Sequence, residues 1–146
     1  MFKHILISTD GSPVSNKAAT AGIALASALH AKVTAYCALE TLQPIYTEGY
    51  AFDQKTIDRF EEGARKVGQK RVDAIGKVAK AARVPFTSVI TKAYAPYEGI
   101  IDAAKKQKCD VIFMASHGRR GFSKLIMGSV TQQVLTHSKI PVVVYR

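Results

Sequence analysis

Residues 110–130 read DVIFMASHGRRGFSKLIMGSV, and this stretch shows the pattern on which the whole chain is built. The apolar run DVIFMA at 110–115 is typical of a buried strand. A polar loop containing glycines follows it, and a helix is predicted to begin near Gly128-Ser129. Four further apolar runs, at residues 2–9, 33–39, 85–91 and 141–145, are also predicted strands.

Helical patterns separate the predicted strands. The first follows Ser12 and Pro13, two residues typical of a helix N-terminus; a long one spans residues 54–83, and a short one begins at Pro96. Continuous strands rich in valine and isoleucine, alternating with helices, indicate a parallel sheet covered on both faces. We predict one α/β domain, residues 1–146, with a doubly wound five-stranded parallel sheet in strand order 3-2-1-4-5 and helices on both faces.

Apolar residues at helical spacing predict which face of each helix is buried. In the first helix these residues are Val14, Ala18, Ala21, Leu25 and Leu29. In the long helix they are Ile57, Phe60, Ala64, Val67, Ala74 and Val78, although glycines at three positions weaken the pattern.

Composition narrows the class of protein. The chain has 146 residues, 47% of them apolar, and a net charge of +10. It has no apolar run near the ~20 residues of a membrane helix and no signal-peptide pattern, so we expect a cytoplasmic protein with no membrane partner. Basic residues are spread along the helices, which indicates a solvated face and not a nucleic-acid site. On the long helix they are Lys66, Lys70, Arg71, Lys77, Lys80 and Arg83. The two cysteines, Cys37 and Cys109, are expected to be reduced and partly buried.

A sheet of this order places its ligand where the winding reverses, between the first and fourth strands. The loops that leave those strands are residues 10–12 and 116–127. In the second loop, Gly118 and Gly121 permit a close approach of backbone to ligand, and the helix start at Gly128-Ser129 favours an anion. Arg119, Arg120 and Lys124 add positive charge. Composition leaves two interpretations open, a phosphate cradle and a plain loop with a serine cap; the position favours the cradle.

At this point the chain resembles the universal stress protein family. The resemblance covers essentially the whole chain and includes ILISTDGS near the start, DVIFMASHGRRG, GSVTQQVL and the ending PVVVY. The ATP-binding branch of that family carries the pattern G-x2-G-x9-G-[ST]. The spacing is the same here from Ala115 through Gly118 to Gly128 and Ser129, and only the first glycine is replaced, by Ala115.

The resemblance implies a stress-response protein that binds ATP, with ADP or AMP as alternatives, and hydrolyses it slowly or not at all. It implies that Asp10 meets the ribose or the metal-nucleotide, that the backbone of Ala38 reads the adenine edge, and that Ser8 and Met114 wall the base. Phosphates would be held by main-chain N–H groups of Gly118, Gly128, Ser129 and Val130, and Mg²⁺ would be carried by the phosphates. Asp10 could instead be a turn aspartate that caps the first helix.

A homodimer is predicted through the C-terminal strand. That strand, residues 141–145, is apolar and lies at a sheet edge, which usually pairs or is covered. The resemblance implies the same dimer, formed by pairing of this strand between two subunits. It also implies a downstream protein partner, which the sequence does not identify. The competing interpretation is a nucleotide-free dimeric interaction module of the same family.

Two smaller features suggest chemistry. Ser116 and His117, with Asp10 near, suggest a catalytic triad, but no G-x-S-x-G elbow accompanies them. A loop histidine that assists phosphate binding or shapes the turn is the preferred interpretation. Tyr46, Tyr50 and Phe52 could cover the adenine, but packing against the body or a partner subunit is the preferred interpretation.

Overall fold

The fold is a single parallel sheet with helices on both faces. The computed structural model describes residues 1–39, 41, 52–118 and 127–146. The strands are β1 (His4–Ser8), β2 (Lys32–Leu39), β3 (Phe86–Lys92), β4 (Val111–Ala115) and β5 (Val142–Tyr145). They are parallel throughout and lie in the order β3-β2-β1-β4-β5. The helices are α1 (Pro13–Leu29), α2 (Gln54–Ala81), α3 (Pro96–Lys106) and α4 (Ser129–His137). The predicted fold class and strand order are confirmed.

Side chains of the central strands alternate between two hydrophobic layers. Ile5 and Ile7 of β1 lie in one core with residues of α1 and α2, whereas Leu6 lies in the other core with residues of α3 and α4. Successive side chains of a strand point to opposite faces, so one apolar run supplies both layers. Helices α1 and α2 therefore cover one face and α3 and α4 cover the other, as a doubly wound sheet requires.

Helix α1 begins where the sequence predicts. The hydroxyl of Ser12 accepts a hydrogen bond from the Ser15 backbone N–H at 3.1 Å, and Pro13 is the first helical residue. The proline fits there because the first helical N–H has no partner within the helix. This cap sets the start of α1 directly behind the carboxyl end of β1.

The predicted buried face of α2 is wrong in its second half. Val67 is 46% exposed, Val78 is 37% exposed and Ala74 is exposed as well. The buried residues are instead Gly68, Val72, Ile75 and Ala79. The error arises at Gly68, where an added Cβ would lie 3.0 Å from Leu39 Cδ2. The glycine lets α2 pack close to the sheet, but it adds no apolar side chain to the sequence pattern.

Candidate functional site

A cleft of about 880 Å³ opens at the carboxyl ends of β1, β2 and β4. The nine residues predicted to contact a ligand all line it; they are Ser8, Asp10, Ala38, Met114, Ala115, Gly118, Gly128, Ser129 and Val130. Parallel strands end at the same edge of a sheet, and the adjacent strands β1 and β4 continue to helices on opposite faces. The fold thus brings together residues that are more than 100 positions apart in sequence.

Asp10 lines the cleft and contacts both the turn after β1 and the segment after β4. Its Oδ1 accepts a hydrogen bond from the Ser12 backbone N–H at 2.9 Å, which is the turn role that the sequence allowed. A Cβ added at Gly118 would lie 2.5 Å from Asp10 Oδ2. The segment after β4 can approach the carboxylate this closely because residue 118 has no side chain.

The two ends of the β4–α4 connection lie side by side. The Gly128 N–H donates to the Ser116 carbonyl at 2.8 Å, and a Cβ at Gly128 would lie 3.1 Å from His117 Cα. The Thr131 hydroxyl donates to the Ala115 carbonyl at 3.0 Å, which ties the first turn of α4 to the end of β4. Gly118 and the start of α4 are therefore fixed against one another.

The N-terminus of α4 faces the cleft without a side-chain cap. The cap residue is Gly128, which has no side chain to accept a hydrogen bond from the first turn. Ser129 is the first residue inside the helix, so the predicted alternative of a serine cap is wrong. Uncapped N–H groups and the helix dipole together favour an anion at this end.

The opposite wall of the cleft is apolar. Tyr36, Met114 and Ile100 belong to the core beneath α3 and α4, and Ala38 packs against that core. The Tyr36 hydroxyl lies 2.8 Å from Thr91 Oγ1, and burial raises the pKa of this phenol above its ordinary value. A flat apolar group fits this wall, whereas an anion fits the end near Gly128.

Ala115 is the single departure from the glycine pattern, and its geometry needs no glycine. The residue is not among those with positive φ. Its methyl group lies in the core beneath α1 and α2, together with Ile7 and Phe113, and only 7% of the residue is exposed. The backbone conformation of Ala115 therefore does not require glycine, and its methyl group packs in the core. On both grounds, Ala115 is compatible with nucleotide binding.

Ser116 and His117 interact mainly with each other. Ser116 Oγ lies 3.0 Å from His117 Nδ1, and Ser116 is buried. A buried hydroxyl paired with the adjacent ring stabilises the turn and presents no nucleophile to the cleft. This geometry favours the turn-shaping role of the histidine.

Arg71 is the site residue that the sequence interpretation missed. It was assigned to a solvated face, and Lys66, Lys70, Lys77, Lys80 and Arg83 are indeed exposed. Arg71 instead lines the cleft and lies against Gly11. The correct buried line of α2 would have indicated this, because Arg71 stands three residues after Gly68 and four before Ile75.

The predicted aromatic cover finds no support at Phe52, which is 50% exposed and is not a cleft residue. Tyr46 and Tyr50 lie outside the described residues, as do Arg119, Arg120, Gly121 and Lys124. Among the described residues, Phe60 and Tyr94 also line the cleft, and 95% of the surface of Tyr94 is exposed.

The described residues lack two further features, a metal cluster and a membrane-spanning helix. They contain no group of three or more His, Cys, Asp or Glu residues that could hold a metal ion. They also contain no helix with the length and apolar character needed to cross a bilayer.

Comparison with known proteins identifies the family. The family model described as the universal stress protein family matches residues 1–146. The chain belongs to the universal stress protein family. A universal stress protein of Thermus aquaticus is 32% identical over 146 residues, which is 100% of both chains.

Solved structures of family members share the fold. A universal stress family protein from Burkholderia pseudomallei superposes with a TM-score of 0.76 at 19% identity, over 98% of this chain and 95% of that one. A universal stress protein in complex with cAMP gives a TM-score of 0.71 at 20% identity, over 99% and 97% of the chains. A protein from Archaeoglobus fulgidus in complex with dAMP gives 0.65 at 14% identity, over 100% and 98%.

Proposed function

We propose that this universal stress protein binds an adenine nucleotide, ATP foremost with ADP or AMP as alternatives, in the cleft between β1 and β4. Nucleotide occupancy would act as a regulatory signal, with slow hydrolysis or none. The observation that carries the proposal is the close approach of Gly118 to Asp10 beside the uncapped N-terminus of α4. A phosphate fits there, because N–H groups at a helix start bind anions.

The roles that we propose for the nine residues are those that the family resemblance implies, and all nine line the cleft. Backbone N–H groups of Gly118, Gly128, Ser129 and Val130 are assigned to the phosphates. The base is assigned to the apolar wall, with the backbone of Ala38 at its edge and with Ser8 and Met114 around it. Ala115 is assigned to the cleft through its backbone, because its methyl group lies in the core beneath α1 and α2. The ribose is assigned to Asp10, which lies between these two regions.

Two further points support this assignment. Structural relatives of the same fold are described in complex with cAMP and with dAMP, both adenine nucleotides. Mg²⁺ would be carried by the phosphates, with Asp10 as the nearby carboxylate. We expect hydrolysis to be slow at best, since phosphoryl transfer requires a positioned base or water and the Ser116 hydroxyl is buried against His117.

The test is a calorimetric titration with Mg-ATP and AMP of the wild type, Gly118→Ala and Gly63→Ala. The Cβ of the first variant would clash with Asp10, whereas a Cβ at Gly63 meets nothing within 4 Å. Loss of one charge-assisted contact is worth ~1.5–3 kcal/mol, so we expect Gly118→Ala to bind at least ~10-fold more weakly. Gly63→Ala should bind as the wild type does. Absence of binding heat in the wild type at millimolar nucleotide overturns the proposal.

A second candidate function is a nucleotide-free dimeric interaction module. It is favoured by the edge strand β5, which pairs only with β4 within the described chain and carries three consecutive valines. We propose a homodimer through this edge whether or not nucleotide binds, because exposed edges of this kind tend to pair. Sedimentation should give a dimer at micromolar concentration, and a monomer would contradict the pairing. We also place the protein in the cytoplasm, in keeping with Cys37 and Cys109, which form no disulfide.

A further inference from the structure

Arg71 reaches the cleft from α2, and Gly11 makes room for it. A Cβ added at Gly11 would lie 2.6 Å from Arg71 Nε and 2.9 Å from its Cδ. Gly11 has a φ of +78°, so this position needs both the missing side chain of glycine and its ability to adopt a positive φ. The stem of the arginine is thereby packed against the β1–α1 turn, and its guanidinium is directed to the carboxyl end of β2.

The guanidinium has an incomplete set of acceptors among the described residues. Its Nη1 lies 4.0 Å from Cys37 Sγ, and a thiol sulfur at that distance is a weak acceptor. No ion pair joins Arg71 to a carboxylate in the described part of the chain, where the two ion pairs are Lys66–Glu62 and Lys92–Glu61. An arginine carries five N–H donors, and within residues 1–39, 41, 52–118 and 127–146 the Cys37 thiol is the acceptor recorded for the Arg71 guanidinium.

Contacts across the cleft establish an order of groups. Gly118 lies against Asp10, Asp10 is adjacent to Gly11 in the chain, and Gly11 lies against Arg71. Gly118, on the segment that leads to the α4 N-terminus, therefore contacts the Asp10 carboxylate, whereas Arg71 contacts the next residue along the chain, Gly11. In a nucleotide, the 2′ and 3′ hydroxyls lie across the sugar from the 5′ carbon. A ribose over Asp10 with its phosphates at α4 would have its 2′,3′ edge on the side away from α4, and Arg71 is a cation of the same cleft that could meet that edge.

We propose that Arg71 binds an anionic group on the 2′,3′ edge of the ribose, so that the cleft prefers adenine nucleotides phosphorylated at the 2′ or 3′ position as well as at the 5′ position. This inference rests on the proposed nucleotide function and names the ligand class of the same site. The planar guanidinium fits a phosphate through two parallel N–H···O bonds, and the partly buried position lowers the screening of the charge.

The experiment is calorimetric titration with AMP, adenosine 3′,5′-bisphosphate and adenosine 2′,5′-bisphosphate. The proteins are wild type, Arg71→Met, Arg71→Lys and Lys70→Met. Methionine keeps an unbranched stem over Gly11 but removes the charge. Lys70 is the matched control, because it is the neighbouring exposed cation and its replacement removes the same charge from the same helix. Circular dichroism of each variant verifies that the fold is retained.

We expect the wild type to bind one of the bisphosphates at least ~10-fold tighter than AMP, the gain of a charge-assisted bidentate contact. Arg71→Met should lose this gain, so that it binds the bisphosphates no tighter than it binds AMP, and Arg71→Lys should keep part of the gain. Lys70→Met should keep it all.

Two results overturn the inference: bisphosphates that bind no tighter than AMP in the wild type, or an equal loss of the gain in Arg71→Met and Lys70→Met. If AMP still binds in either case, the proposed nucleotide-binding function is retained. Failure of all three ligands to bind the wild type removes the proposed function and the inference together.

Discussion

Replacing Ala115 by glycine restores the first glycine of the family's ATP-binding pattern and separates two explanations of that glycine. If the family's glycine is needed to let a nucleotide approach the backbone closely, Ala115→Gly should tighten nucleotide binding. The structure gives a different expectation, because the Ala115 methyl group lies in the core with Ile7 and Phe113 and its φ is not positive. The substitution should therefore leave binding unchanged and cost stability.

The cost has two parts. Glycine within a strand loses about 0.5–1 kcal/mol relative to alanine through backbone entropy. The buried methyl group contributes about 0.8 kcal/mol more, and only 7% of Ala115 is exposed, so this part applies nearly in full. We expect the free energy of unfolding of Ala115→Gly to fall by roughly 1–2 kcal/mol.

Urea denaturation measures the stability, and calorimetric titration with Mg-ATP measures the affinity. Ala35→Gly is the matched control, because Ala35 is a fully buried alanine on β2 that is not a cleft residue. Both variants should lose similar stability, and both should keep wild-type affinity within about twofold, which is under 0.5 kcal/mol. Binding that tightens ~10-fold in Ala115→Gly, with no loss of stability, would refute the assignment of this methyl group to the core.

Two further predictions concern buried titratable groups on the amino-terminal side of the sheet. Burial, reinforced by the charge of Lys32, lowers the pKa of His4 below 6.5, so the folded state binds the proton less readily than the unfolded state. The contribution of His4 to stability is therefore present above pH 6.5 and is lost as pH falls below that value. Urea denaturation midpoints measured between about pH 8 and 5.5 should decline less in His4→Gln than in wild type. An equal decline in the two proteins would contradict this prediction. Burial also raises the pKa of the Cys109 thiol to about 11, so iodoacetamide at about pH 8 should label Cys109 slowly in the folded protein and rapidly in urea. Mass spectrometry measures both rates, and equal rates would argue against a buried thiol.

The sheet could be predicted from sequence because its signals are local and redundant. Each central strand is a short, mostly apolar run between turn residues, and β1 supplies both cores by simple alternation of Ile5, Leu6 and Ile7. The end of β1 could be placed because Ser12 and Pro13 mark the start of α1. Errors in the exact ends of strands, such as Phe2 in place of His4, do not alter the order.

The rotation of α2 could not be predicted from the same kind of signal. Its buried line passes through Gly68, which makes room for Leu39 and contributes no apolar side chain. Counting apolar residues therefore selected Val67, one position away, and rotated the predicted face by about 100° at that point. Arg71 was then assigned to solvent, although it lies three residues from Gly68 and borders the buried line.

The presence of Arg71 in the cleft changes the electrostatic character of the site. Among the described cleft residues, Asp10 is the one carboxylate and Arg71 the one guanidinium. A phosphate at Gly118 would stand beside the Asp10 carboxylate, where the partial charges at the start of α4 favour an anion. With Arg71 on the other side of Gly11, the charge of Asp10 is offset from within the same cleft. The two side chains then divide the ligand between them, because the carboxylate can accept hydrogen bonds from sugar hydroxyls and the guanidinium can bind an anion attached to the same sugar.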